Sequence, residues 1–168
     1  MRGYLLDTCA LSAYYNGQHP HHALAVALVD GLEADALLLV SVISIAEIEY
    51  GIRLAEFHNS SHLPELRERA KRIKGHAQLP VTHHTSDIYA DLKYKLAKTR
   101  IRPGKKRMPR FLEDWADRGS GKALQIDEND LWICAQAKER DIALITTDTD
   151  FRAFEAADRD IRILFVQP

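Results

Sequence analysis

Asn129-Asp130-Leu131-Trp132-Ile133-Cys134-Ala135, followed shortly by Ala143-Leu144-Ile145-Thr146-Thr147-Asp148-Thr149-Asp150-Phe151, decides how the chain folds. The first segment places an acid at the start of a helix. The second is an apolar strand with further acids where it ends. In a crossover unit the helix runs antiparallel to its strands, and ligands of parallel sheets bind beyond the strands' carboxyl ends. A helix N-terminus lies at that same edge, so Asp130 and Asp148 are expected side by side. Carboxylates packed together repel. A hard divalent cation that takes oxygen ligands is the best reason for such an arrangement.

The same pattern extends outward along the chain. Strands are expected over residues 3–6, 36–42, 79–82, 142–146 and 161–166. Helices are expected over 10–15, 21–32, 45–56, 63–75, 86–98, 129–139 and 151–157, with one more short helix over 109–118. The helix over 21–32 has Leu24, Ala27, Leu28 and Leu32 at helical spacing. Ser44 is placed as the cap of the helix over 45–56 and Glu47 as its capping-box partner in the first turn. Asp127 caps the helix of Asp130. Strands alternating with helices predict an α/β fold with a parallel sheet. The segment near 99–124 has the weakest periodicity and reads as an insertion.

A chain of 168 residues fits one domain, residues 1–168, with a real core. No apolar run is long enough to cross a bilayer. Met1-Arg2-Gly3-Tyr4 leads directly into Leu5-Leu6-Asp7, which leaves no signal-peptide pattern. Two cysteines give neither a disulfide framework nor a four-thiolate zinc site. The cytoplasm is the expected compartment.

The formal net charge of −1 says nothing about nucleic acid, but the distribution does. Lys98, Arg100, Arg102, Lys105, Lys106, Arg107 and Arg110 form a basic run with no acid inside it. A basic flank beside an acidic pocket suits a polyanion that must approach metal ions. Pro103-Gly104 places a turn within the run, which would project Arg100, Arg102, Lys105 and Arg107 from the body. The histidine groups His19, His21, His22 and His83-His84 fall in polar loops and read as solvated surface. Trp115 and Trp132 read as core or half-buried, and Tyr50 as core or part of a dimer face.

Asp7 follows the first strand, Glu47 opens the helix after the second, Asp130 opens the helix before the fourth, and Asp148 and Asp150 follow the fourth. Each has a simpler reading as well. Asp7 can cap a helix, Glu47 can serve a capping box, Asp130 can complement a helix dipole, and Asp148 and Asp150 can form an Asx turn. Their convergence on one sheet edge favours a site for one or two divalent ions, which would polarise a phosphodiester and acidify a water.

These segments also resemble a known family. Leu5-Leu6-Asp7-Thr8, Ser44-Ile45-Ala46-Glu47-Ile48-Glu49-Tyr50-Gly51, Asp130-Leu131-Trp132-Ile133-Cys134-Ala135-Gln136-Ala137 and Leu144-Ile145-Thr146-Thr147-Asp148-Thr149-Asp150-Phe151 occur in the order seen in PIN-domain ribonucleases, VapC-type toxins in particular. The resemblance implies a three-layer α/β/α fold with a mainly parallel sheet, and a Mg²⁺- or Mn²⁺-dependent endoribonuclease leaving a 3′-hydroxyl and a 5′-phosphate. It implies Asp7, Glu47, Asp130 and Asp148 as catalytic metal-site acids, with Asp150 as a secondary metal acid. Thr8 and Thr147 would hold phosphate or water. Substrate contact by Arg100, Arg102, Lys105, Lys106 and Arg107 is expected from the charge pattern instead, with a solvated loop as the alternative, and this basic insertion makes the chain longer than the usual compact toxin. A cognate antitoxin and a homodimer are the implied protein partners. Cys9 stands where these toxins usually carry Asn, and a thiolate is a poor ligand for Mg²⁺. The competing readings are a non-catalytic RNA-binding PIN module, a housekeeping RNA-processing nuclease, and a phosphatase on another α/β sheet. The last lacks a phosphate-cradling glycine loop.

Overall fold

Every strand of the sheet runs in the same direction. The computed structural model describes residues 2–101 and 109–167. Strands β1 (Gly3–Leu6), β2 (Leu37–Ser41), β3 (Ala77–Leu79), β4 (Ala143–Thr146) and β5 (Ile163–Phe165) pair in the order β3-β2-β1-β4-β5, all parallel. Between them run helices α1 (Thr8–Tyr15), α2 (His22–Asp30), α3 (Val42–Phe57), α4 (Leu63–Lys74), α5 (His83–Arg100), α6 (Glu128–Glu139) and α7 (Arg152–Ala157).

The strands are apolar on both faces, as a sheet covered by helices requires. Leu5, Leu39, Leu144 and Ile163 point to the side packed by Leu92 and Leu96 of α5, Leu131 and Ala135 of α6, and Phe154 of α7. Tyr4, Leu6, Val40 and Ile145 point to the other side, against Leu11 of α1, Ala25 of α2 and Ile73 of α4. The result is the expected α/β/α sandwich, with an entirely parallel rather than mainly parallel sheet. Burying each such leucine or isoleucine contributes about 1.5–3 kcal/mol.

Several boundaries differ from expectation. β2 ends at Ser41, which is also the cap of α3, its hydroxyl accepting from Ile43 N at 2.9 Å. Strand passes into helix with no loop, so Glu47 sits in the second turn and Ser44 is not the cap. Ser44 is fully buried inside α3, and its hydroxyl has no partner among the described residues. The third strand lies at Ala77–Leu79, because Pro80 cannot donate to a ladder and Thr82 is already the cap of α5. Thr82 and Thr85 cap each other's backbone, and both hydroxyls donate to Glu139 of α6. α5 therefore starts three residues earlier than expected.

The helix expected over 109–118 is a single 3₁₀ turn, Leu112–Asp114, followed by an isolated antiparallel bridge between Ala116 and Ala123. Gly119-Ser120-Gly121 forms an Asx turn with Asp117. Asp117 Oδ1 accepts from Gly119 N at 2.9 Å and Ser120 N at 2.8 Å, and Gly121 supplies a positive φ of 70°. Tyr50 is 64% exposed and is no part of the core.

A charged staple joins α5, α6 and the turn after α7. Asp158 is buried and accepts from Lys95 of α5 at 2.8 Å and from Lys138 of α6. These contacts pull its carboxyl down to about 2 despite the opposing effect of burial.

Candidate active site

The strand order reverses between β1 and β4, and a crevice forms beyond their carboxyl ends. Asp7 and Asp148 stand on its two sides. The last residue of β1 is followed directly by Asp7, whose backbone N donates to Ile145 O at 3.1 Å. Asp7 caps α1, accepting from Ala10 N at 2.6 Å, so the simple reading of this residue is also true. Its second carboxylate oxygen accepts from Thr146 Oγ1 at 2.6 Å. Thr146 Oγ1 in turn accepts from Asp148 N at 2.9 Å. One buried hydroxyl at the end of β4 thus fixes both acids.

Glu47 reaches the crevice from α3, where side chains lean toward the helix N-terminus. It accepts from Thr8 Oγ1 and, at 2.7 Å, from Asn129 Nδ2. Asp130 occupies the third position of α6 and closes a capping box with Asp127. Asp130 N donates to Asp127 Oδ1 at 2.9 Å, and Asp127 N to Asp130 Oδ2 at 3.0 Å. Asp148 caps the 3₁₀ turn Thr149–Phe151 through Asp150 N at 2.8 Å, which is the Asx-type turn that the spacing allowed.

Asp7, Thr8, Glu47, Asp130 and Asp148 line one cleft of about 570 Å³. Cys9, Glu113 and Asp127 line it too, and no Lys, Arg or His does so among the described residues. The electrostatic consequence is large. Burial, opposed by the Thr146 and Ala10 hydrogen bonds and reinforced by Asp148 and Glu47, pushes the Asp7 carboxyl up to about 7. Burial raises Asp130 to about 7 as well, with Asp127, Asp7 and Asp148 adding to the effect.

Other expected site residues lie elsewhere. Asp150 is exposed and Thr147 half-buried, and neither lines the cleft. Arg100 ends α5 and faces Asp117 at 3.8 Å, away from the cleft lining. Arg102, Lys105, Lys106 and Arg107 lie outside the described residues. His83 and His84 are exposed and stack at 3.8 Å, whereas His19, His21 and His22 are half-buried rather than fully solvated. Thr146 and Asn129 are the residues that sequence reasoning missed. A threonine closing a strand between two acids, and an amide one position before an acid at a helix start, were the available signals.

Among the described residues no three His, Cys, Asp or Glu side chains converge as a ready-made metal cage. Magnesium keeps several of its waters and is held through one or two carboxylates. The donor set, all hard oxygen and uncompensated by any basic side chain of the cleft, fits a hydrated divalent ion.

A family model for the PIN domain matches residues 4–157. The chain belongs to the PIN-domain family. No curated protein matches it in sequence. Among solved structures, the PIN fold here is similar to FitAcB from Neisseria gonorrhoeae, at 27% identity and a TM-score of 0.62, covering 97% of each chain. It is similar to VapBC-5 from Mycobacterium tuberculosis, a member of the VapBC family of toxin–antitoxin systems, at 22% identity and TM-score 0.64, covering 98% of this chain and 99% of that one. Mycobacterium tuberculosis VapC20, a toxin that cleaves the sarcin–ricin loop, aligns over 92% of this chain and 95% of its own at 16% identity and TM-score 0.52.

Proposed function

We propose that this PIN domain is a divalent-metal-dependent endoribonuclease and the toxin of a toxin–antitoxin pair. One observation carries the reading: Asp7, Glu47, Asp130 and Asp148 meet in a cleft at the topological switch point, with no basic side chain among its described lining residues. Mg²⁺ or Mn²⁺ bound among these acids, through one or two carboxylates and its own waters, would supply Lewis-acid polarisation of the phosphodiester and acidify water. The side chains do the positioning. Thr146 holds Asp7 and the Asp148 backbone, and Thr8 with Asn129 holds Glu47. Hydrolysis adds water oxygen to phosphorus as the bridging P–O bond breaks, leaving a 3′-hydroxyl and a 5′-phosphate. The basic run from Lys98 to Arg110 offsets phosphate repulsion, and Asp150 and Thr147, which do not line the cleft, act as secondary groups.

The test is cleavage of single-stranded RNA by the purified chain. Cleavage that appears with Mg²⁺ or Mn²⁺ and stops on chelation is the expected result. RNA binding that survives without cleavage at any metal concentration would instead favour the non-catalytic module.

Partner surfaces fit the toxin reading. A mostly apolar groove of about 240 Å³ between α1, α3 and α4, lined by Leu11, Tyr15, Ile48, Ile52 and Ile73 among others, suits an antitoxin helix. Tyr50, Leu54 and Phe57 project from α3 at helical spacing, exposed by 64%, 40% and 78%, and suit a second copy. Burying a Phe or Tyr contributes about 1.5–3 kcal/mol. Tyr50→Ser combined with Phe57→Ser is therefore expected to weaken self-association by roughly tenfold or more in sedimentation equilibrium. Unchanged self-association, or a wild-type chain that stays monomeric at high concentration, would remove this face from the dimer.

A further inference from the structure

Part of the cleft is built by residues 112–126, ahead of α6, which contribute Glu113, Ala123, Leu124, Gln125 and Ile126 to its lining. Resting on the ribonuclease reading, we propose that this segment reads a nucleobase of single-stranded RNA, with Glu113 accepting hydrogen bonds from a guanine.

The segment is held in place on both sides of Glu113. Leu112 is fully buried, and its backbone N donates to Glu128 Oε1 of α6 at 3.1 Å. Lys93 of α5 donates to the same Glu128 and to the Arg110 carbonyl at 3.0 Å. Trp115 is buried, and its indole N–H donates to the Pro109 carbonyl at 2.9 Å. Glu113 rides on the 3₁₀ turn between these anchors. It is exposed, and it forms no hydrogen bond or ion pair with a described residue. A fixed backbone thus presents a free carboxylate to a cleft that takes RNA.

A carboxylate repels phosphates and accepts only from donors. The donors that RNA offers inside a cleft are base N–H groups and the 2′-hydroxyl. Guanine alone among the bases sets two different N–H donors, N1–H and the N2 amino group, side by side, a match for the two oxygens of one carboxylate. Adenine and cytosine place a ring acceptor next to their amino group, and uracil flanks its imino N–H with carbonyls. The Watson–Crick edge is free only in single strands, loops and ends. Half-buried Leu124 and the amide of Gln125 line the same cleft, giving the base an apolar surface and a second polar contact.

The full-length chain, Glu113→Gln and Glu113→Ala are compared on a randomised single-stranded RNA pool with Mg²⁺ or Mn²⁺, and the new ends are sequenced. Wild type should enrich guanine at one position beside the cut by roughly tenfold, as a two-bond base contact gives. Glu113→Gln keeps the size of the side chain, so it should lose that enrichment without unfolding and shift it toward adenine and cytosine, which each pair a donor with an acceptor. Glu113→Ala should flatten preference at that position alone. Identical profiles in all three, or flattening at every position, would overturn the proposal while leaving the nuclease intact. A wild type that cuts with no base preference would do the same. A wild type that cuts no RNA would overturn the ribonuclease reading itself, and this proposal with it.

Discussion

Asp7→Asn is expected to lower RNA cleavage by about a hundredfold or more and, at the same time, to raise the Tm of the metal-free protein. Losing one preorganised electrostatic group of a site costs about 10²–10³ in rate. The stability gain follows from the burial of the carboxyl, which holds its native pKa near 7. A raised carboxyl means that the folded chain binds more protons than the unfolded chain between about pH 4 and 7. Metal-free stability therefore falls as pH rises through 7. Asparagine carries no charge to desolvate, and its amide can still serve both Ala10 N and the Thr146 hydroxyl. The gain should be largest near pH 8 and clearly smaller at pH 5, and it should fade only near pH 4, where the unfolded carboxyl binds its proton too. Each kcal/mol relieved is worth about 2–4 °C in a chain of this size. Asp130→Asn should behave alike, since its carboxyl is also pushed up to about 7. Thermal melts with chelator at the two pH values, alongside cleavage assays, check both effects. A Tm at pH 8 below that of wild type, or retained metal-dependent cleavage in both variants, would remove these residues from the proposed roles.

The second large effect lies away from the cleft. Asp158→Ala is expected to destabilise the fold by about 3 kcal/mol, because removing one partner of a buried pair leaves the other charge uncompensated. Lys95 retains Asp91 at 2.7 Å, so the loss falls mainly on Lys138, whose side chain is 17% exposed. Here the native pKa is depressed, to about 2. The stabilisation is therefore complete above pH 4 and is lost as pH falls toward 2. Urea titrations should show the full gap between wild type and variant at pH 6 and a narrower one at pH 3. Asp158→Asn, which keeps the shape and an acceptor, should fall between them. A difference below about 0.5 kcal/mol at pH 6, the scatter of ordinary surface changes, would show that the staple is solvated in solution.

What could be read from the residues alone was the part governed by strand ends. Asp7 follows β1 directly, Asp148 follows β4 with only Thr147 between, and Asp130 opens α6, so the parallel topology alone carries them to one edge. The start of α3 was obscured by its own composition. Val42, Ile43 and Ile45 are β-branched and resemble a continuing strand, and two serines compete as caps. The Ser41 side chain and burial decide in favour of helix from Val42 onward. β3 was misplaced because Ala77 and Gln78 are exposed and give no apolar signal. The segment after α5 has no periodicity to read, since what holds it is tertiary: Glu128 beneath Leu112, and Trp115 folded back on Pro109. Thr146 was invisible for a related reason. A threonine at the end of a strand looks like ordinary β preference, and only the fold reveals two acids within reach of its hydroxyl.

The first turn of α6 spends three consecutive residues on three different tasks. Glu128 grips the segment that walls the cleft, Asn129 grips Glu47, and Asp130 enters the acid ring itself. Successive side chains on a helix diverge by about 100°, so this one turn works like a hub with three spokes. Its angular setting is shared. A small rotation of the hub would swing the wall, the Glu47 carboxylate and Asp130 together, and none of the three could be retuned alone. Two of the four acids, Glu47 and Asp130, thus share one mechanical setting with the wall, whereas Asp7 and Asp148 take theirs from Thr146 on β4, so the cleft has two halves that can shift against each other.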